Sequence, residues 1–378
     1  MAKLKLRYGA ISTDDHIQES PDLWTDRMSA AAFGEAIPHV IERDDGSQTW
    51  LINGELFPRL AMVPAAMPNR RIEPLRWEDV PKATYVPGDR LKAMDHDSVD
   101  THAFFPNIAG LTGGTFTNRG TEDWREACIR AYNDWLIDVW AEYSPRFIAQ
   151  CIAPMWDVDK AVAEVRRSAK RGHKALVWHG ALSNLDLPHF NDAYWDPLYA
   201  TCQELDLPMA LHIGAAGMLA TWDGYAPYTA KALGSAAAIA SNVQILANLL
   251  YSGVPERFPK LNFISVESGI GWIPYLLETL DHEYEVLECW KDGMSRKPSE
   301  YFHRQVYANF WYEHVGIEIR RHVGVDRILW ETDYPHTTST YPNSKTMRES
   351  CLAGVPGDER RAMLVDNSVR LFKLDIEE

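Results

Sequence analysis

Short continuous runs of apolar residues alternate with longer stretches of helical spacing along most of this chain. The runs fall at residues 8–13, 101–106, 147–154, 174–178, 208–211, 261–266, 305–311 and 327–331. They are not the apolar–polar alternation of a strand with one wet face; continuous runs suit parallel strands covered on both faces. Between them, the apolar positions Trp124, Ala127, Ala131, Trp135, Val139 and Trp140 recur at helical spacing. Asp157 stands just before a helix expected over 159–169, in a good N-cap position, and Asp196-Pro197 opens another helix. Further helices are expected over 272–285 and 358–372. Eight strands alternating with helices predict a (β/α)8 TIM barrel over residues 1–378, a single domain. An open doubly wound sheet would carry a glycine-rich phosphate turn after the first strand, and the sequence there is Asp14-Asp15-His16.

Two stretches exceed the bare repeat. Residues 20–95 separate the first and second strands and are rich in Pro, Met and Trp; we read them as an insertion or cap on the active face. Residues 285–304 extend the connection between strands six and seven.

Composition narrows the class. The chain has 378 residues, 46 % of them hydrophobic and 24 % charged, as in an ordinary globular protein. Its net charge, 38 − 53 = −15, argues against nucleic acid and anionic lipid as partners. Five scattered cysteines form no CxxC pair, which fits a reducing cytoplasm better than a disulfide framework. The N-terminus lacks the apolar core of a signal peptide, and no stretch reaches the roughly 18 apolar residues expected of a membrane span. The most apolar stretch, around 234–250, reads as an Ala-rich buried helix.

The chemistry is carried by the strand ends. Strand one ends in Asp14-Asp15-His16, strand five in His212, strand six in Glu267 and strand eight in Asp333. In a barrel these ends meet on one rim. Asp14 and His16 are two apart, so both side chains can face the barrel axis. Mixed histidine and carboxylate donors suit zinc, manganese or iron.

These residues resemble the metal site of the amidohydrolase superfamily. The branch is the amidohydrolase-2 family, typified by aminocarboxymuconate semialdehyde decarboxylase and related aromatic-acid decarboxylases. Three further stretches resemble it: Ser252-Gly253-Val254-Pro255-Glu256-Arg257-Phe258-Pro259-Lys260-Leu261, Trp330-Glu331-Thr332-Asp333-Tyr334-Pro335-His336, and Asn367-Ser368-Val369-Arg370-Leu371-Phe372. The resemblance implies that Asp14, His16, His212 and Asp333 hold a divalent ion, with Asp333 also moving protons. It implies hydrolysis or non-oxidative decarboxylation of a small, aromatic or unsaturated substrate. Glu267 departs from the family's histidine after strand six. It is read as a general acid/base, an additional ligand or a structural group, in that order of interest. Zinc is the first expectation for the metal.

A carboxylate-rich site leaves a second class open: a dinuclear iron or manganese centre in an oxygen-dependent hydroxylase, with Glu267 and Glu19 as further ligands. A third is an inactive partner subunit of a related enzyme. His179 is a candidate catalytic group beside strand four, His102 a satisfied core histidine, and His173 a surface one. Trp24, Phe105 and Trp178 are candidate walls of a substrate pocket, and Arg27, Arg59, Arg70 and Arg71 candidates for binding a substrate carboxylate. A homo-oligomer, most simply a dimer, is expected, with a hetero-oligomer including a paralogous subunit as the alternative.

Overall fold

The computed structural model describes residues 3–70, 72–214 and 222–377. Eight parallel strands close into a barrel: β1 Ile11–Ile17, β2 Thr101–Pro106, β3 Phe147–Cys151, β4 Ala175–Trp178, β5 Met209–His212, β6 Phe263–Val266, β7 Val306–Phe310 and β8 Ile328–Trp330. β1 pairs with both β2 and β8, which closes the sheet. Every residue of the eight strands is buried, the physical counterpart of their continuous apolar runs.

The helices wrap this sheet where the spacing places them. Asp157 caps the helix Val158–Arg171, its carboxylate accepting the Lys160 N–H at 3.0 Å. Asp196–Leu205 and Ile273–Val286 follow β4 and β6. The stretch Pro227–Tyr251 is, by length and composition alone, apolar enough to cross a membrane. Its second half packs inward instead, with Ile245, Leu246, Leu249 and Leu250 buried.

β1 differs most from the expectation. It begins three residues later and runs through Asp14, Asp15 and His16. The run of polar residues concealed the strand from an apolar-pattern reading; here they are paired on both sides by neighbouring strands. Ser12 lies opposite His102, but Asp15 lies opposite Phe104, so β1 carries one extra residue between these points. Such a bulge re-aims side chains at a barrel rim.

Between β1 and β2 the chain forms a three-stranded antiparallel sheet of His39–Glu42, Gln48–Ile52 and Glu55–Leu56. The helix Pro87–Asp97 then leads into β2.

Candidate metal centre

Asp14, His16, His212 and Glu267 place ligand atoms within 4.8 Å of one another, and so do His16, Glu267, Asp333 and His336. His16 Nε2 lies 3.2 Å from His212 Nε2, 3.7 Å from Asp14 Oδ1 and 3.6 Å from Asp333 Oδ1. His212 Nε2 lies 3.5 Å from Asp14 Oδ1 and 3.4 Å from Glu267 Oε2. The five residues called from β1, β5, β6 and β8 therefore converge on one point.

Local backbone explains how. The Asp333 N–H donates to the Asp14 carbonyl at 2.9 Å, and the His16 N–H to the Tyr334 carbonyl at 2.6 Å, so the ends of β1 and β8 interlock. Glu267 and Asp333 both hold positive φ, 55° and 54°. That conformation is unusual for residues with a Cβ, and such strain concentrates at sites whose surroundings over-determine it.

Hydrogen-bond accounting tests whether the cluster suits a cation. The His212 Nδ1–H donates to the Ile213 carbonyl at 2.7 Å, leaving the Nε2 lone pair facing the cluster. His336 Nε2 meets Asn107 Oδ1 at 2.9 Å, while Asn107 Nδ2 donates to Gln18 Oε1 and the Met62 carbonyl. His336 Nδ1 then turns its lone pair toward Asp333 Oδ1, 3.2 Å away. Both oxygens of Asp14 and Oδ1 of Asp333 are buried and have no hydrogen-bond partner among the described residues. Acceptors facing acceptors in a buried site are costly unless a cation or proton lies between them. The donor set fits a divalent ion.

The electrostatics agree. Burial, then Asp333 and Asp15, push the Asp14 carboxyl well above the usual range. Burial and Asp333 do the same to Glu267, and burial and Asp14 to Glu331. Burial, then His336 and His212, push His16 well down. Glu331, given no role from sequence, lies beneath the site; its Oε2 accepts from Asn309 Nδ2 at 2.6 Å and from the Glu267 N–H at 3.3 Å.

Other expectations are moved by the structure. Glu19 is absent from both donor sets. Its carboxylate accepts the Ile108 and Ala109 N–H groups at 2.8 and 3.0 Å and so anchors the loop after β2. His179 is buried with Nδ1 accepting the Ala181 N–H at 3.1 Å, and it does not line the cavity. Trp24 is buried among Trp50 and Phe116, its indole N–H on the Cys128 carbonyl. Trp178 is buried edge-on against Trp195. Neither reaches the cavity, because both were needed for packing between barrel and periphery. Phe105 does touch the site: its ring centroid lies 4.8 Å from that of His212 and 5.8 Å from that of His16. His102 is a buried core histidine, as expected, but so is His173, expected on the surface.

A cavity of about 690 Å³ opens over the centre. Its inner end holds His16, His212, Glu267, His336 and Thr338. Its walls include Met62, Pro64, Leu111 and Trp222, and among the described residues its cationic side chains are Arg59 and Lys231. Lys231 is paired with Glu73 at 3.1 Å. Arg70 is occupied elsewhere: its guanidinium donates to the carbonyls of Thr337, Ser339 and Tyr341 and so shapes the loop after β8. Arg27 pairs with Asp138 on the surface, and Arg71 lies outside the described residues.

A gamma-resorcylate decarboxylase from Polaromonas sp. is 27 % identical over 308 residues, covering 76 % of this chain and 87 % of the relative. The crystal structure of an amidohydrolase from Mycobacterium avium subsp. paratuberculosis superposes with a TM-score of 0.77 at 23 % identity, covering 97 % of this chain and 98 % of that one. A dihydroxybenzoic acid decarboxylase from Polaromonas sp., solved with bound manganese and 2-nitroresorcinol, superposes with a TM-score of 0.64 at 19 % identity and covers 98 % of each chain. The amidohydrolase family model matches residues 60–374. The barrel and most of its length therefore make this chain a member of the amidohydrolase family.

Proposed function

We propose that this protein is a metal-dependent non-oxidative decarboxylase of a small aromatic acid. The observation that carries the reading is the convergence of Asp14, His16, His212 and Asp333, with orphaned carboxylate oxygens, beside a cavity with largely apolar walls into which His16, His212 and Glu267 face. The decarboxylase relatives support the substrate class.

A divalent ion held there would supply Lewis acidity toward a substrate carboxylate or a neighbouring oxygen. Two histidines and several carboxylates make an oxygen-rich set, and two structurally similar decarboxylases were solved with manganese. Both points favour manganese over the zinc expected first. In the reaction the bond between ring carbon and carboxylate breaks, carbon dioxide leaves, and a proton is added to the ring carbon. Thr338 Oγ1 contacts Asp333 Oδ2 and lies 3.3 Å from Glu267 Oε1, so one hydroxyl joins the two carboxyls. We assign proton delivery to this pair, with Glu267 in the place of the family's histidine. The apolar walls hold the ring and exclude water, and Arg59 at the mouth suits a second polar group of the substrate.

The second donor set, His16, Glu267, Asp333 and His336, favours one further reading: two ions and an oxygen-dependent hydroxylation. One experiment separates the two. Protein purified without added metal is assayed for metal content and given hydroxybenzoates and carboxylated methoxyphenols. About one manganese per chain and release of carbon dioxide support the decarboxylase. About two irons per chain with substrate-dependent oxygen uptake and no carbon dioxide would replace it with the hydroxylase. The exposed side chains of Tyr275, Val286, Leu287 and Trp290 support the expected dimer, which light scattering tests.

A further inference from the structure

The Arg90 guanidinium is fully buried at the end of the segment between β1 and β2. It is surrounded by the rings of Tyr334, Phe104 and Trp140, at 4.6, 5.2 and 5.8 Å from their centroids. Burial lowers its pKa to about 10, so it stays charged at neutral pH. Taking such a cation out of water is unfavourable unless its partners compensate, which makes the identity of those partners informative.

They lead to the metal centre. Nη2 donates to the main-chain carbonyl of His16 at 2.7 Å, and Nε to that of Ala83 at 2.7 Å. Nη1 meets His102 Nδ1 at 3.0 Å. A guanidinium only donates, so His102 Nδ1 is the acceptor and its hydrogen sits on Nε2. That atom faces Asp15 Oδ1 at 3.5 Å. Asp15 Oδ1 also accepts from Thr332 Oγ1 and from the Tyr334 N–H. Asp15 stands between the candidate ligands Asp14 and His16; Thr332 and Tyr334 flank the candidate ligand Asp333. Asp15 faces His102 of β2 and belongs to neither donor set, so this chain of contacts runs behind the site, not through it.

We propose that Arg90, through His102 and Asp15, is a positioning residue that fixes the distance between the ligand pair of β1 and the ligand of β8. The inference rests on the metal reading above. It assigns a role in the metal centre to a residue of the segment before β2, although Arg90 does not line the cavity. The fork geometry is essential to it. A lysine at this position brings one charge but cannot reach the His16 carbonyl, the Ala83 carbonyl and His102 together.

The test uses full-length protein stripped of metal and titrated with manganese(II). Affinity and the electron paramagnetic resonance spectrum of the bound ion are read for wild type, Arg90→Lys, Arg90→Met and His102→Asn. Thermal unfolding of each metal-free protein is measured alongside. His173→Leu, remote from the site, serves as a destabilised comparison. Expected are affinities about 10- to 100-fold weaker for both Arg90 variants, as for loss of groups that orient ligands. An altered manganese spectrum and partial recovery of Arg90→Met affinity with added guanidinium ion are also expected. His173→Leu should keep wild-type affinity despite its lower unfolding temperature. If Arg90→Met does not fold, Arg90→Lys and His102→Asn carry the test. Wild-type affinity in those variants, with only the unfolding temperature lowered, would overturn the positioning role and leave the metal reading intact. Failure of the wild type itself to bind manganese or another divalent ion would overturn both.

Discussion

The Nε2 atoms of His16 and His212 face each other 3.2 Å apart, although 196 residues separate them in the chain. His212 Nε2 can accept a proton from His16 or share a cation with it, and the unpartnered Asp14 and Asp333 oxygens beside the pair favour the cation. We therefore expect His212→Ala to lower metal affinity at least about 10-fold, the lower bound for losing even an outer group of a metal site. Elemental analysis after dialysis reads this directly. Unchanged metal content would remove His212 from the ligand set.

Glu267 separates two roles by one substitution. Glu267→Gln keeps the shape and removes the ionisable proton. We expect metal content to persist and turnover to fall about 10²- to 10⁴-fold, the usual range for a general acid or base. Loss of the metal instead would make Glu267 a ligand.

Glu19 should prove irrelevant to the metal. Its burial raises the carboxyl to about 7, against 4.5 for the unfolded chain. A raised folded-state value means its stability contribution is full below about pH 4.5 and lost as pH rises to about 7, on the order of 3 kcal/mol in total. Glu19→Gln should abolish that loss and leave metal content unchanged. Denaturant unfolding at pH 4.5 and pH 7 checks the first, and metal analysis the second.

His173 has the opposite sign. Burial lowers it to about 4, so the folded state resists protonation that the unfolded chain accepts below about 6.5. Its contribution is full above about pH 6.5 and is lost as pH falls toward 4. His173→Leu should flatten stability across this window. The Ser168 carbonyl that loses the imidazole still accepts the Gly172 and His173 N–H groups, so the fold should tolerate the change. A steeper loss of stability in the variant at low pH would refute this account.

Much of this was legible in advance because strand and helix periodicity is local. β2 lies where the sequence placed it, residue for residue; β3, β4, β6, β7 and β8 differ only by trimmed ends, and β5 is shifted by one residue to include His212. His212, Glu267 and Asp333 were legible because they stand at or just past strand ends, which barrel closure sends to one rim, and Asp14 and His16 because residues two apart in a strand point to the same side. Glu331 was not, since a carboxylate after Trp330 reads as solvent-facing until Asn309 and the Glu267 N–H are seen to bond its Oε2. Trp24 and Trp178 misled because an aromatic near a strand end can pack outward as well as line a pocket.

The sequence by itself therefore determined the barrel and the chemical types gathered at its mouth. Hydrophobic period and residue identity at strand ends are properties of neighbouring residues. The tertiary structure alone decided which donors meet, that the Glu19 carboxylate accepts the Ile108 and Ala109 N–H groups, and that the Arg90 guanidinium donates to the His16 carbonyl. Those outcomes depend on hydrogen-bond partners brought from distant positions, as Asp15 is joined to Thr332 across 317 residues, and no local pattern encodes such a pairing.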